Sequence, residues 1–281
     1  GGMESMTNAP YLLREARSGM RMGDKKVVDS MMHDALFCAI DELAMGAATE
    51  QYAAKAGLER GVQDEVSAQS HERAAAAQKD GKFDNEIVPV EIPQRKGDPI
   101  LLEADEGVRP GTTAESLGKL RPAFSKDGNI TAGNASQISD GGAAVIVCSA
   151  AKAEELGIRP LGEIVSIGQV AGPGASLISQ PAQAIKAALA KADLSVDDID
   201  LFELNEAFAA VGCQSMSDLG ISDDIVNVNG GAISIGHPVG VSGTRIVLTL
   251  LNELQRRGGG TGAAALCGGG GQGDAMIVRT V

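Results

Sequence analysis

The 281 residues carry 24 Lys and Arg against 37 Asp and Glu, a formal charge of −13. So acidic a surface repels nucleic acid and anionic lipid, and an anionic ligand needs a locally basic pocket. No apolar run approaches the roughly 18–20 residues of a membrane span and no signal peptide is visible, while four scattered cysteines without a C-x-x-C pair and 3 histidines argue for reduced thiols in a cytoplasmic protein and against a zinc site or any other metal.

Aromatic residues make up 2% of the chain and Trp is absent, so the core is expected to be built from Ala, Val, Ile and Leu. Gly1-Gly2-Met3-Glu4-Ser5-Met6 reads as the tail of a strand already under way, which suggests a piece of a longer polypeptide. Residues 7–40 are charged and interrupted by glycine. Thr49 to Lys79 has helical composition, split by Gly57 and Gly61, with Gly81 as a C-terminal stop. Residues 82–135 hold a strand-like IVPVEIP and then the turn signals of QRKGDP, DEGVRPGTT and SKDGN, an excursion of short strands and loops.

The character changes near Asp140. GGAAVIVCSA reads as a continuous apolar strand, AKAEELG as a short helix closed by Gly157, and PLGEIVSIGQV as another strand. In PAQAIKAALAKAD, Ile185, Ala188, Leu189 and Ala192 share one helical face, with Pro181 in the first turn. IDLFELN is a strand leading into a helix at EAFAAVGCQSM, and IVNVNGG is the next strand. A helix from about Ser242 to Arg257 places Val247, Leu250, Leu251 and Leu254 on one side. Gly258 to Gly260 end it, and GAAALC and DAMIVRTV form a closing hairpin. Alternating strands and helices give an α/β layered fold, and continuous apolar strands imply a sheet covered on both faces.

Three motifs in the last third each end an apolar segment in small residues and present one reactive side chain. They are NEAFA with Asn205, NVNGGAISIGHPVG with His237, and CGGGGQG with Cys267. Asn205 is either a helix N-cap or an amide that polarises a carbonyl or holds a water. His237, fixed between a glycine and a proline, is either a turn residue or a group for proton transfer and oxyanion binding. Cys267 is either a buried core thiol or a site residue facing glycines whose bare N–H groups can meet an anion. GGGGQG formally matches the dinucleotide fingerprint, but a strand follows it where that fingerprint needs a helix, which excludes a nicotinamide site. An amide, an imidazole and a thiol at strand ends can move protons beside a carbonyl and hold the resulting oxyanion. A strongly activated nucleophile is not evident among them.

NEAFA, NVNGGAISIGHPVGVSGTR and CGGGGQGDA, in this order and spacing, resemble the three C-terminal signatures of thiolases. LRPAF at 120–124 and TAGNASQISDG at 131–141 are similar to the thiolase stretch that returns from an inserted loop region, and GGMESM to the segment just after the nucleophile. The likeness covers essentially the whole chain and is nearest to bacterial acetyl-CoA C-acetyltransferases. It implies a layered αβαβα fold with the first half incomplete. Residues 1–157 would be the remnant of the N-terminal half, including the inserted loop region at about 8–130, and 158–281 the C-terminal half.

The resemblance also implies roles. His237 resembles the histidine that activates the nucleophile and helps bind an enolate oxygen, Asn205 the asparagine that holds a water in that oxyanion hole, and Cys267 the cysteine that moves the proton next to the thioester. The N–H of Gly269 resembles a donor of the second oxyanion hole. Arg109, Ser116, Ala132 and Ser136 fall on positions that contact coenzyme A, and Met45, Phe124 and Phe208 on pocket walls. Ala44 and Leu177 depart from the histidine and methionine of some acetyl-specific members, which bears on acyl length. Coenzyme A thioester enters as substrate, no cofactor is implied, and family members are homodimers or tetramers. The family's nucleophilic cysteine has no counterpart here; neither Cys38 nor Cys148 sits in its motif. The chain alone is therefore expected to be an inactive acyltransferase or, alternatively, a non-catalytic CoA-binding or partner-dependent thiolase-fold protein.

Overall fold

The computed structural model describes residues 1–281. Its first half contains β1 (Gly2–Ser5), β2 (Tyr11–Leu12), β3 (Val28–Asp29), β4 (Phe37–Cys38), β5 (Leu43–Ala44), α1 (Met45–Lys55), α2 (Arg60–Lys79), β6 (Val90–Ile92), β7 (Ile100–Leu102), α3 (Ala114–Gly118), β8 (Asp140–Ala143) and α4 (Ala150–Glu155). The second half contains β9 (Glu163–Ala171), α5 (Gln180–Lys191), β10 (Leu201–Leu204), α6 (Ala209–Leu219), α7 (Ala232–Ile235), α8 (Ser242–Arg256), β11 (Thr261–Gly268) and β12 (Gln272–Arg279). No helix is long and apolar enough to cross a membrane.

The second half is built on a four-stranded sheet of order β10-β11-β12-β9, with β10 and β11 parallel and the other neighbours antiparallel. Side chains alternate across it, as the pleat requires. Phe202, Leu204, Ala263, Ala265, Ala275 and Ile277 pack with Ile185, Ala188 and Leu189 of α5 on one face. Leu201, Ala264 and Val278 pack with Ile246, Leu250 and Leu254 of α8 on the other. Small alanines in β11 let both helices approach, and each fully buried Leu or Ile contributes on the order of 2 kcal/mol. The α/β layering, the α5 face, the extent of α8 and the closing hairpin match the sequence reading.

Three elements differ from it. Gly61 falls in the first turn of α2 and does not split the helix; the break lies at 56–59. IVNVNGG forms no strand. After a single bridge between Phe202 and Val226, Asn227 turns to φ +46° and its side chain takes over the pairing: Oδ1 accepts from the Leu204 N–H at 2.8 Å and Nδ2 donates to the Leu204 carbonyl at 2.8 Å. The following residues instead form the short α7, which the sequence reading did not anticipate.

The third difference is the strand expected over GGAAVIVCSA. Only Asp140–Ala143 is paired, antiparallel with β1, and residues 144–149 make no ladder. A strand needs a neighbour for its N–H and C=O groups, and the four residues of β1 are the one neighbour present. Ile146 and Val147 are accordingly 96% and 69% exposed. Between this segment and the α8 side of the main sheet lies an apolar hollow of about 1210 Å³, lined by Val145, Ile146, Ile164, Leu251 and Met276 among others.

Candidate active site

β10 and β11 run parallel with Leu204 opposite Ala265, and the Asn205 N–H continues the ladder to the Ala265 carbonyl at 2.9 Å. Asn205 and Cys267 therefore stand one and two residues past the same register pair, at the carboxyl ends of neighbouring parallel strands. Ligands of open α/β sheets bind at that end. Asn205 is not the N-cap of α6; Phe208 holds that position. Its fully buried amide points Nδ2 at His237 Nε2, 3.3 Å away, and its Oδ1 is buried without a donor.

His237 lies in the turn between α7 and α8. Its Nδ1 is 2.6 Å from Ser242 Oγ, which donates to the Pro238 carbonyl at 3.3 Å, and its backbone N–H donates to Ser139 Oγ at 3.3 Å. With the hydroxyl proton directed to Pro238, Ser242 accepts from Nδ1–H, so Nε2 presents its lone pair to the Asn205 amide and the site. Burial first, and then the charge of Arg245, pushes the His237 pKa down to about 4, so the ring is neutral near pH 7. Gly236 precedes it at φ +103°, a conformation L side chains rarely adopt, and a Cβ there would run into Ser139.

Cys267 is half-buried beside Phe208, Met45 and the cluster of Ala53, Leu177, Ile178, Ala210 and Val211. Burial pushes its thiol up to about 12, so the resting group is a proton donor. It makes no hydrogen bond to Asn205 or His237. Gly269 lies against Met45, whose terminal methyl a Cβ would strike. Phe208 and Phe124 meet edge to face, with centroids 6.5 Å apart and ring planes at 77°, and the Phe124 ring fills the space over Gly46. Met45, Phe124, Phe208 and Cys267 thus lie along one apolar wall.

Of the other positions, Ser136 donates its N–H to the Ala207 carbonyl at 3.1 Å, which places it beside the Asn205 turn. Arg109, Ser116 and Ala132 are exposed and make no hydrogen bond to Cys267 or His237. Ser116 is occupied as the third residue of the α3 capping box with Thr113, and Ala132 adjoins Gly133, which packs on Leu117 and Leu120 around α3. The Arg109 N–H donates to His71 Nδ1 at 3.2 Å, and its guanidinium forms no ion pair.

Sequence reasoning missed the supports. Ser242, five residues after His237, sets the ring, and its place in the first turn of a helix was the available signal. Glu206, within the NEAFA motif, is 3% exposed; its carboxylate accepts from Ser70 Oγ (2.7 Å), the Ile233 N–H (3.1 Å) and Asn227 Nδ2 (2.8 Å), tying the Asn205 turn to α2 and α7.

Comparison with known proteins places the chain in a family. The profile "Thiolase, N-terminal domain" matches residues 1–151 and "Thiolase, C-terminal domain" residues 158–280. The chain belongs to the thiolase family. It is 57% identical to a protein of Mycolicibacterium smegmatis named probable acetyl-CoA acetyltransferase, over 99% of this chain and 72% of that protein. It is 50% identical to the acetyl-CoA acetyltransferase of Chromobacterium violaceum, over 99% of this chain and 71% of that one. Among solved structures, the Bacillus anthracis acetyl-CoA acetyltransferase superposes with a TM-score of 0.95 at 39% identity, covering all of this chain and 71% of its own. Human mitochondrial 3-ketoacyl-CoA thiolase in complex with CoA gives 0.93 at 40%, covering all of this chain and 70% of its own.

Proposed function

We propose that this chain is an acyltransferase of the acetyl-CoA C-acetyltransferase type, working at the α-carbon of acetyl-CoA. The observation that carries the reading is the contact of His237 Nε2 with the Asn205 amide at the strand end next to Cys267. In this scheme the Cys267 thiol, protonated at rest, first gives its proton to His237 Nε2, and the resulting thiolate takes the α-proton and becomes a thiol again. The enolate oxygen is held by Asn205, through a water that its unpaired Oδ1 can hold, and by His237 once Nε2 carries a proton. Each such donor is worth roughly 3–4 kcal/mol of barrier. The enolate carbon then bonds to the carbonyl carbon of an acyl group parked on a second thiol, the acyl C–S bond breaks, and acetoacetyl-CoA leaves while that sulfur departs as thiolate. Thiolytic cleavage of 3-ketoacyl-CoA is the same path reversed. The Gly269 N–H is assigned to the acyl oxygen.

No residue among these 281 is assigned the parked-acyl thiol. Cys38 and Cys213 are buried, and Cys148 lies in the exposed 144–149 segment. The chain by itself is therefore proposed to hold the proton-transfer half of the chemistry, with residues 158–281 as the C-terminal half and 1–157 as the rest of the N-terminal half and its inserted loop region. The free, exposed Arg109 is the kind of local cation that the anionic end of coenzyme A needs on a chain of −13. The Met45, Phe124 and Phe208 wall fits a short acyl group. A cytoplasmic homodimer or tetramer is the assembly proposed.

Two assays separate the parts. Acetoacetyl-CoA cleavage by the purified chain is expected to be absent, and robust turnover refutes the missing-nucleophile reading. Deuterium uptake at the α-carbon of acetyl-CoA, followed by NMR, is expected to persist, and a rate equal to that of Cys267→Ala removes the role of Cys267.

The apolar hollow beside Ile146 favours a second reading, a CoA-binding protein that works only with a partner polypeptide covering that face. Calorimetry with CoA tests it, and no heat with or without a partner carrying the remaining thiolase sequence defeats it.

A further inference from the structure

His237 and Asn205 come from different segments, and a distance of 3.3 Å between them needs something to hold it. Helix α8 supplies one tether through Ser242, at its first residue. Arg245, one turn further on and on the same side of the helix, supplies another. Its Nη1 donates to Glu203 Oε2 at 3.0 Å, and Glu203 is 3% exposed. Glu203 and Asn205 are two apart along β10, so both project to the α8 side of the sheet with Leu201. The contacts close a ring that runs from His237 through Ser242 to Arg245, then through Glu203 to Asn205 and back to the imidazole.

We propose that Arg245 and Glu203 are positioning residues, whose buried pair braces the first turns of α8 against the end of β10 and so fixes Asn205 against His237. The proposal builds on the reading of these two residues as one site. A pair that only stabilises the fold would look similar, and α8 carries one at its other end. There, buried Glu253 accepts from Arg256 at 2.9 Å and Arg257 at 2.8 Å, several turns from the imidazole. It is an internal control.

Charged and titratable groups around the His237 turn come from several elements. Arg245 stands on α8, Glu203 and Glu206 on β10 and its extension, and Cys267 on β11. Glu4 of β1 lies beside Gly240, and Asp140 of β8 is held by Thr7 and Ser5. Glu86, after α2, and Asp105, after β7, also feel the charge of Arg245, which opposes the burial that raises their carboxyls. Arg245 is the cation of this set, and its charge acts with burial against the imidazolium.

Removing one partner of a buried pair leaves the other without its partner and destabilises the fold, whereas replacing both with apolar residues is often neutral. The test is therefore the double variant Arg245→Met/Glu203→Leu, read by NMR beside Glu253→Gln. With 3 histidines in the chain, each ring is resolvable. In the double variant the nuclear Overhauser contact between the Asn205 side-chain amide and the His237 ring is expected to weaken. The His237 midpoint is expected to rise from about 4 by on the order of one unit, the effect of one charge several Å away at an effective dielectric constant near ~20. Glu253→Gln is expected to leave both unchanged. An unchanged contact and midpoint in the folded double variant, or equal changes in both variants, overturns the proposal. Should the double variant not fold, Arg245→Lys keeps the charge without the guanidinium fork; a weakened contact with the midpoint retained supports the brace, and an unaltered contact sinks it. None of these readouts uses turnover, so failure of acetyl-CoA exchange counts against the site reading and not against the brace.

Discussion

Ser242 Oγ lies 2.6 Å from His237 Nδ1, and this one contact decides which face of the ring the site sees. A histidine whose Nδ1 carries the proton offers Nε2 as a base, and the opposite tautomer offers a donor. Ser242→Ala removes the partner and leaves a buried Nδ1. We expect a cost of ~1 kcal/mol in denaturant melts and a mixed tautomer population in the ring ¹⁵N shifts. A single Nδ1–H tautomer in the variant would show that the ring is set from elsewhere.

The pH dependence of stability carries a sign that follows from the ring's burial. His237 has its pKa depressed from 6.5 to about 4 in the folded protein, so between those values the unfolded chain binds more protons. Stability from this group is fully present above pH 6.5 and is lost as pH falls towards 4, by on the order of 3 kcal/mol at most. Glu203 acts with the opposite sign over an overlapping range: burial raises its carboxyl to about 8 against the opposing charge of Arg245, so its contribution grows as pH falls from 8 to 4.5. The comparison that isolates His237 is therefore wild type against His237→Gln. The variant is expected to lose less stability from pH 6.5 to 4, and parallel curves would refute the assignment.

Thiol reactivity separates the cysteines. With the Cys267 thiol pushed up to about 12, roughly one molecule in ten thousand is thiolate at pH 8, and only the thiolate reacts. Cys148 is exposed, while Cys38 and Cys213 are buried. Brief treatment of the native chain with iodoacetamide at pH 8 is expected to label Cys148 alone, as read by peptide mass spectrometry. Rapid labelling of Cys267 would mean that a nearby cation or N–H set stabilises its thiolate.

The layers of the second half were legible because their residues repeat: the spacing of Val247, Leu250, Leu251 and Leu254 is a helical face whatever surrounds it. The site motifs were legible because glycine and proline flank one reactive group each. What was not legible depended on partners distant in sequence. Val226 to Gly231 has strand composition, yet Asn227 replaces backbone pairing with its own amide, a tertiary event no local pattern reports. Glu203 reads as an odd charge in an apolar strand until Arg245 is seen opposite it, 42 residues later. The apolar run at 144–148 has strand composition but forms no strand, because the four-residue β1 pairs only with Asp140–Ala143.

Gly236 tests whether the backbone itself aims the imidazole. At φ +103°, with Ser139 where a side chain would begin, Gly236→Ala combines strain with a steric conflict. The expected cost is ~1–3 kcal/mol, together with displacement of His237 from the Ser139 hydroxyl that now accepts its N–H. The His237 midpoint should then move up from about 4 as the ring gains water. A variant with wild-type stability and an unmoved midpoint would show that the turn adapts and that glycine is not required there.

Unpaired backbone and exposed apolar side chains coincide at Ile146 and Val147, which form one wall of the hollow of about 1210 Å³. An open strand edge with such side chains is a template for another chain. The purified protein is therefore expected to self-associate in a concentration-dependent way in sedimentation velocity. Ile146→Lys should suppress this, because a charge on an exposed edge position penalises pairing without touching the α5 and α8 packing. Its melting temperature should stay at the wild-type value, since a residue 96% exposed gives up almost no buried area. Association that persists at equal strength in Ile146→Lys would place the contact elsewhere, with the exposed β6–β7 hairpin, where Val90 and Ile100 are 54% and 56% exposed, as the next surface to substitute.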